Sequence, residues 1–404
     1  MINSILKKVF IIAVTISCSN LDIVEVDSNQ KKNESRLNVT CPIEKKPILV
    51  YSENNKLNSI YKNYFEQSTK QSFLDHYFKW SLLQLASRPD STTLNSKTLT
   101  YIKYDKKEYF LITTPKTLNS SSYISQLNQV RKYFKKSRTI KSYARSLDNW
   151  DFSIPVSKEL AKFLDKNKVS LYKNPKLRAI AFKGNQIAKD GETIAPPKFE
   201  ALVTTSQRLD QNIFETNHLF KSSKDYLCNF DKNLFSSTPL IQRRSNEIRS
   251  NFFGLFQDKD NFFITLTSAN PIVDQFNKNF LSLKSQKMTN FNAAICFSKN
   301  NQELIMAKNL IHSEQLLNNI LSSTDKNMSP EQILNTKRFL NLLYPERTVV
   351  EIYGRPFLQK NDQTKYYIPT LGKVDLIKYS KGFHLYKEPR TGILKCGPAK
   401  TSKN

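Results

Sequence analysis

Two kinds of hydrophobic spacing alternate along this chain, and the alternation limits the architectures open to it. From Leu57 to Leu85 apolar residues recur at helical intervals, Tyr61, Phe65, Phe73, Tyr77 and Leu82 among them. "TLTYIKYDKKEYFLITT" then alternates on both sides of Asp105–Glu108, the pattern of a hairpin. A helix is predicted from about Ser122 to Leu147 and a shorter one near Ser157–Asp165. "KVSLY", "LRAIAFKG" and "FEALVTTS" read as strands. "NFFGLF" and "NFFITLTS" flank Gln257–Asp260 as a second hairpin. "NAAICFS" and "QELIMAKNL" read as strands, the latter with a helix start as its alternative. In "SPEQILNTKRFLNLLY", Ser329 as N-cap, Pro330 at N1 and Gln332 at N3 make a capping box that opens a helix. "TVVEIYG", "KYYIPT" and "KVDLIKYSKGFHLYK" close the chain as strands. This order predicts a mixed α/β architecture, sheets with flanking helices, with two related halves as one arrangement it allows.

The 404 residues fit two units of about 150–200 each, placed at 41–235 and 236–404. Only 8 glycines are present, so no Gly-rich phosphate loop exists; GxGxxG and GxxxxGK are both missing. The formal net charge of +27 has two readings. One is an anionic partner: a phospholipid surface, a phosphorylated polymer, or nucleic acid, which is not excluded. The other is lysine spread over the whole surface. The densest basic stretch, Arg131 to Lys141, reads either as a lipid-headgroup contact or as a solvated helix face.

The first residues have the parts of an export signal, with Lys7 and Lys8 before an apolar run from Val9 to Ser17. That run is far short of the roughly 20 residues that span a bilayer. Thr15 and Ser17 are small residues ahead of Cys18, and the segment resembles the cleavage box of bacterial lipoproteins, with Thr15 where leucine is usual. The resemblance implies a signal peptide at 1–17, lipidation of Cys18, a flexible tether at 18–40, and a place in the bacterial cell envelope, on the periplasmic side or the outer surface. Plain secretory cleavage and an uncleaved anchor are the alternatives. In an oxidising compartment Cys41, Cys228, Cys296 and Cys396 allow two disulfides in any of three pairings. Cys41 and Cys396 bracket the folded region. No CxxC occurs, and His76, His218, His312 and His384 show no metal-ligand spacing, so neither metal nor cofactor is expected. His76 and His312 read as packing or surface residues.

The segment "LRAIAFKGNQIAKDGETIAPPKFEALVTTSQRLDQNIFETNHLF" resembles the phospholipase D-like superfamily. Lys183 fits the lysine of its H-x-K motif, Asp190-Gly191 the following turn, Ser206 the serine of G-S-x-N, and Asn217 a later asparagine. Ala181 stands where the family's nucleophilic histidine belongs, and Arg208 where the G-S-x-N asparagine belongs. Near the end of the chain, His384 and Lys387 resemble a second motif with altered spacing. The resemblance implies an envelope protein that binds an anionic phosphodiester or phospholipid-type ligand without cleaving it, because covalent catalysis needs the missing imidazole. One alternative is an active phosphodiesterase using His384 or His218; another is a structural lipoprotein without a ligand. For the anchor, radiolabelled fatty acid should stay with the denatured chain and be lost in Cys18→Ser. Equal labelling of the two would contradict lipidation.

Overall fold

The structure is a computed structural model. It describes residues 40–42, 49–52, 54–68, 71–113, 122–204, 220–221, 226–228, 249–257, 260–269, 276–277, 280–283, 293–298, 302–308, 313–324, 328–343, 346–351, 365–368, 371–379 and 384–387. In chain order the elements begin with β1 (Thr40–Pro42), β2 (Leu49–Ser52), α1 (Asn55–Gln67), α2 (Phe73–Ser87), β3 (Lys97–Tyr104) and β4 (Lys107–Thr113). A helical stretch follows: α3 (Ser122–Tyr133), α4 (Ile140–Asp148), β5 (Ile154–Pro155), α5 (Lys158–Lys166), α6 (Lys168–Tyr172) and α7 (Pro175–Ala181). Then come β6 (Phe182–Lys183), β7 (Gln186–Ile187), β8 (Thr193–Ile194), α8 (Phe199–Thr204), β9 (Phe220–Lys221) and β10 (Tyr226–Cys228). The strands β11 (Arg249–Phe256), β12 (Phe262–Ala269), β13 (Phe276–Asn277), β14 (Phe280–Leu283), β15 (Ala293–Ser298) and β16 (Glu303–Lys308) precede α9 (Ser313–Ser323) and α10 (Pro330–Asn335). The last are β17 (Phe339–Leu343), β18 (Glu346–Glu351), β19 (Lys365–Ile368), β20 (Lys373–Lys378) and β21 (His384–Lys387).

Two antiparallel sheets carry the fold. One has five strands in the order β2-β11-β12-β3-β4, the other seven in the order β1-β21-β20-β16-β15-β10-β9. Both take strands from either side of residue 235. Their inner faces pack on each other through Leu99, Tyr101, Phe252, Phe262, Ile264 and Leu266 from the first sheet and Ile295, Phe297, Leu304, Met306 and Ile377 from the second. The outer face of the five-stranded sheet is covered by α1 to α4, with Trp80, Phe78, Leu127 and Tyr143 against Phe253 and Phe263. The outer face of the seven-stranded sheet is covered by α9 and α10 through Leu316, Leu317, Ile320 and Ile333. The layers therefore run helix, sheet, sheet, helix, a mixed α/β fold with flanking helices. Gly254 allows the close pairing at the centre: a Cβ there would lie 2.8 Å from the Phe263 carbonyl oxygen.

Local chemistry explains where the elements depart from their predicted spans. The helix expected over 57–85 breaks before Ser72, whose hydroxyl and the Asp75 carboxylate form a capping box for α2. The helix expected over 122–147 breaks at Lys135, which is left-handed with φ 50°, and restarts at the Thr139 N-cap. Three expected strands are helices. "KVSLY" is α6, and "LRAIAFKG" supplies α7, started by Pro175 and the side chain of Asn174, which accepts from the backbone of Lys176 and Leu177. "FEALVTTS" contains α8, whose first amides, those of Phe199 and Glu200, donate to the Asp148 carboxylate at 2.6 and 2.9 Å. The Ser329 capping box is present, but α10 ends at Asn335 and the chain turns into β17. Both expected hairpins form, β3–β4 turning at Asp105 and Lys106 with positive φ. Cys228 and Cys296 are opposite residues of β10 and β15 and form a disulfide. Cys41 lies in β1; Cys18 and Cys396 are outside the described residues.

His76 packs inside α2, as its sequence position suggests. Its Nδ1 lies 3.2 Å from the Tyr61 hydroxyl, and the Phe65 ring stands edge-on at 4.1 Å. Burial, helped by the Lys79 charge, lowers its pKa to about 3. Its folded value thus lies below the unfolded one. The stabilisation is complete above about 6.5 and is lost as pH falls toward 3, up to a few kcal/mol. Thermal unfolding midpoints of the parent should fall more steeply over that window than those of His76→Phe; parallel curves would contradict this.

Candidate functional site

The inner faces of the two sheets are mostly apolar; Glu108 meets the Tyr101 and Tyr379 hydroxyls within the layer, and a second polar group lies at the end where β3 begins. There, Lys97, Ser268 and Ser250 are consecutive partners across β3, β12 and β11. Directly opposed residues of an antiparallel pair point to the same face. Lys97 shares the phase of Leu99 and Tyr101, Ser268 that of Leu266 and Ile264, and Ser250 that of Phe252, all of which point between the sheets. A lysine and two serines therefore form a row at the edge of the inter-sheet core. Ser250 and Ser268 are buried, and the Ser268 hydroxyl has no hydrogen-bond partner among the described residues. Burial pushes the pKa of the Lys97 ammonium down, opposed by the nearby Glu314 carboxylate from the first turn of α9. On the facing sheet, Lys308 forms a buried ion pair with Asp375 at 3.0 Å, and its ammonium lies 5.6 Å from the centre of the Phe252 ring. This end of the core thus holds two amines, two carboxylates and two hydroxyls.

The opposite face of the same strands fixes their position. Asn251, next to Ser250, donates from Nδ2 to Gln84 Oε1 at 3.2 Å and to Thr92 Oγ1 at 3.0 Å. Thr267, next to Ser268, bonds Thr92 Oγ1 at 2.8 Å and donates to the Ser91 carbonyl at 2.9 Å. Gln126 joins Thr98 and Thr100, and Thr100 bonds Thr265 at 2.9 Å. The loop after α2 is closed by a buried bidentate pair, Arg88 Nε to Asp90 Oδ1 at 2.9 Å and Nη2 to Oδ2 at 3.1 Å. Polar side chains thus lock β3, β11 and β12 to α2 and α3, just behind the serine and lysine row. A locked backbone holds a reacting group in place more tightly than a loop can.

The residues singled out from the sequence lie elsewhere. Lys183 is exposed in β6, opposite Gln186 in a two-stranded hairpin. The strand expected to carry it is the helix α7, which ends at the buried Ala181. His384 and Lys387 are the ends of β21, opposite Lys378 and Asp375 in the seven-stranded sheet. Lys183 and these two therefore belong to different sheets. Ser206, Asn217, His218 and His312 lie outside the described residues. Among the described residues no group of three or more His, Cys, Asp or Glu could hold a metal, and no helix is long and apolar enough to cross a membrane. The sequence reading passed over Lys97, Ser250 and Ser268. Their signal was a polar residue in the inward phase of an otherwise apolar strand, as in Ser250-x-Phe252-x-Gly254-x-Phe256.

No protein-family pattern and no curated protein matches the chain. Solved structures do. A cephalosporin acylase from Bacillus halodurans superposes with a TM-score of 0.54 at 11% identity, covering 91% of this chain and 98% of its own. A protein named LmbA2991T421A gives 0.51 at 7% identity, covering 88% of this chain and 98% of its own. At these identities the likeness is one of fold. Replacing Asn251 by Ala should cost about 1–3 kcal/mol in urea unfolding, because Gln84 and Thr92 lose a buried partner. An unchanged midpoint would remove the network from the account.

Proposed function

We propose that this protein is an acyl-transfer hydrolase that cleaves an amide or ester bond at the Lys97–Ser268–Ser250 row. The carrying observation is a lysine with a lowered proton affinity in register with two buried serines at the end of the inter-sheet core. An amine whose charged form is disfavoured, in register with hydroxyls, suits an activated-nucleophile arrangement once it gives up its proton. The fold likeness to a cephalosporin acylase supports the same class of chemistry. In this reading Lys97 takes the proton of an attacking serine as its oxygen bonds the acyl carbon. The carbon–nitrogen or carbon–oxygen bond then breaks, and the proton leaves with the amine or alcohol. Water, deprotonated by the same lysine, releases the acid and restores the serine. The Lys308 ammonium faces this end of the layer and suits the charge that develops on the acyl oxygen.

A second reading comes from the sequence: an exported, lipid-anchored envelope protein that binds an anionic phosphodiester or phospholipid-type ligand. The net charge of +27 and the exposed Lys183 favour it. Export through residues 1–17 and Cys18 is compatible with either site.

A panel of chromogenic acyl amides, acyl esters and phosphodiesters separates the readings. The acyl reading expects turnover of an amide or ester, reduced by at least about 10³-fold in Lys97→Met and in one of Ser250→Ala or Ser268→Ala, which identifies the nucleophile. Since the neutral amine is the base, the rate should rise with pH through a midpoint below the ordinary lysine range. Turnover of the phosphodiester alone, lost in His384→Ala, would contradict the acyl reading. So would acyl turnover indifferent to all three substitutions.

A further inference from the structure

Three large apolar side chains stand exposed among the described residues: Tyr133, Val169 and Tyr172, at 54%, 68% and 43%. All three lie in basic stretches, and two share the short helix α6. Val169 and Tyr172 are three residues apart and so occupy one face of that helix. Leu171 is fully buried, as is Leu177 of α7, so the opposite side of the pair is seated on the body of the protein. The outward face is not held there by loose packing. The Arg178 guanidinium covers the Tyr172 ring at 4.1 Å, and the Phe182 ring meets it edge-on at 5.5 Å.

Along the sequence around α6, between Asp165 and Asp190, the charge has one sign. From Lys166 to Lys189 the sequence contains no Asp or Glu. Lys166, Lys168, Lys173, Lys176 and Lys183 are all exposed. An exposed apolar pair flanked in sequence by exposed ammonium groups is complementary to a bilayer with anionic headgroups: the ring and methyls enter the interface while the lysines meet phosphate oxygens. A nucleic acid would use the same charges but would leave Val169 in water. We propose that the α6 tip, with its flanking lysines, is a membrane-surface contact for anionic phospholipid. It is separate from the acyl site and from any anchor at Cys18.

The test uses the full chain carrying Cys18→Ser, so that no acyl chain binds it to lipid. Sedimentation is measured with phosphatidylcholine vesicles, with and without phosphatidylglycerol, across a salt series. The expected result is partition onto the anionic vesicles that weakens with salt, and a loss of about tenfold or more in Val169→Ser/Tyr172→Ser and in Lys168→Glu/Lys173→Glu. Every substituted residue is exposed, so the circular dichroism spectrum should match the parent. As a local readout that is blind to the N-terminal segment, Val169→Trp should show a blue-shifted emission on anionic vesicles only. An unshifted Val169→Trp emission on anionic vesicles would overturn the proposal. Equal partition of parent and both double variants would do so as well, as would tighter binding of a single-stranded oligonucleotide through the same lysines.

Discussion

The structure depends on burying the inner faces of two antiparallel sheets against each other. At roughly 25 cal/mol for each Å² removed from water, such a layer is the main source of stability, and it tolerates polar groups only where they are compensated or at its edge. Nearly every inward position from Leu99 to Leu266 is filled by a large apolar side chain. Lys97, Ser250 and Ser268 are placed where that rule lapses. The layer also sets their chemistry. The same apolar surroundings that stabilise the fold disfavour the charged form of Lys97, and Glu314 only partly offsets them.

The outer face of the five-stranded sheet does a different job. It mixes aromatic packing, such as the Tyr77 and Phe263 rings at 4.5 Å, with a ladder of threonine, asparagine and glutamine hydrogen bonds. Such a network costs desolvation and returns little net stability, but it accepts few alternative arrangements. Asn251 and Thr267 are the immediate neighbours of Ser250 and Ser268, so their side chains fix the backbone that carries the serines. The rigidity lies behind the site, and α9 meets it from the other sheet through Glu314.

Much of the fold was legible in the sequence. Alternation marked both long hairpins, and the Ser329, Pro330 and Gln332 signal marked the start of α10. The misread segments failed for identifiable reasons. In "KVSLY" and "LRAIAFKG", the β-branched and aliphatic residues outweighed the start signal of Asn174 and Pro175, which was present. The cap of α8 comes from Asp148, far away in sequence, and no local pattern could have revealed it. The candidate site was less legible still. A motif search looks for reactive residues close in sequence, whereas Lys97, Ser250 and Ser268 become neighbours only through strand register. The phospholipase D-like resemblance drew attention to Lys183 because it treated α7 and α8 as strands.

The central claim is that the inter-sheet layer desolvates Lys97 and thereby makes it a base. Titration of the lysine side chains by carbon NMR in the folded chain, with Lys97→Arg to assign the signal, measures this without any substrate. The account predicts a Lys97 midpoint clearly below that of the exposed lysines. A midpoint equal to theirs or above it would contradict the account.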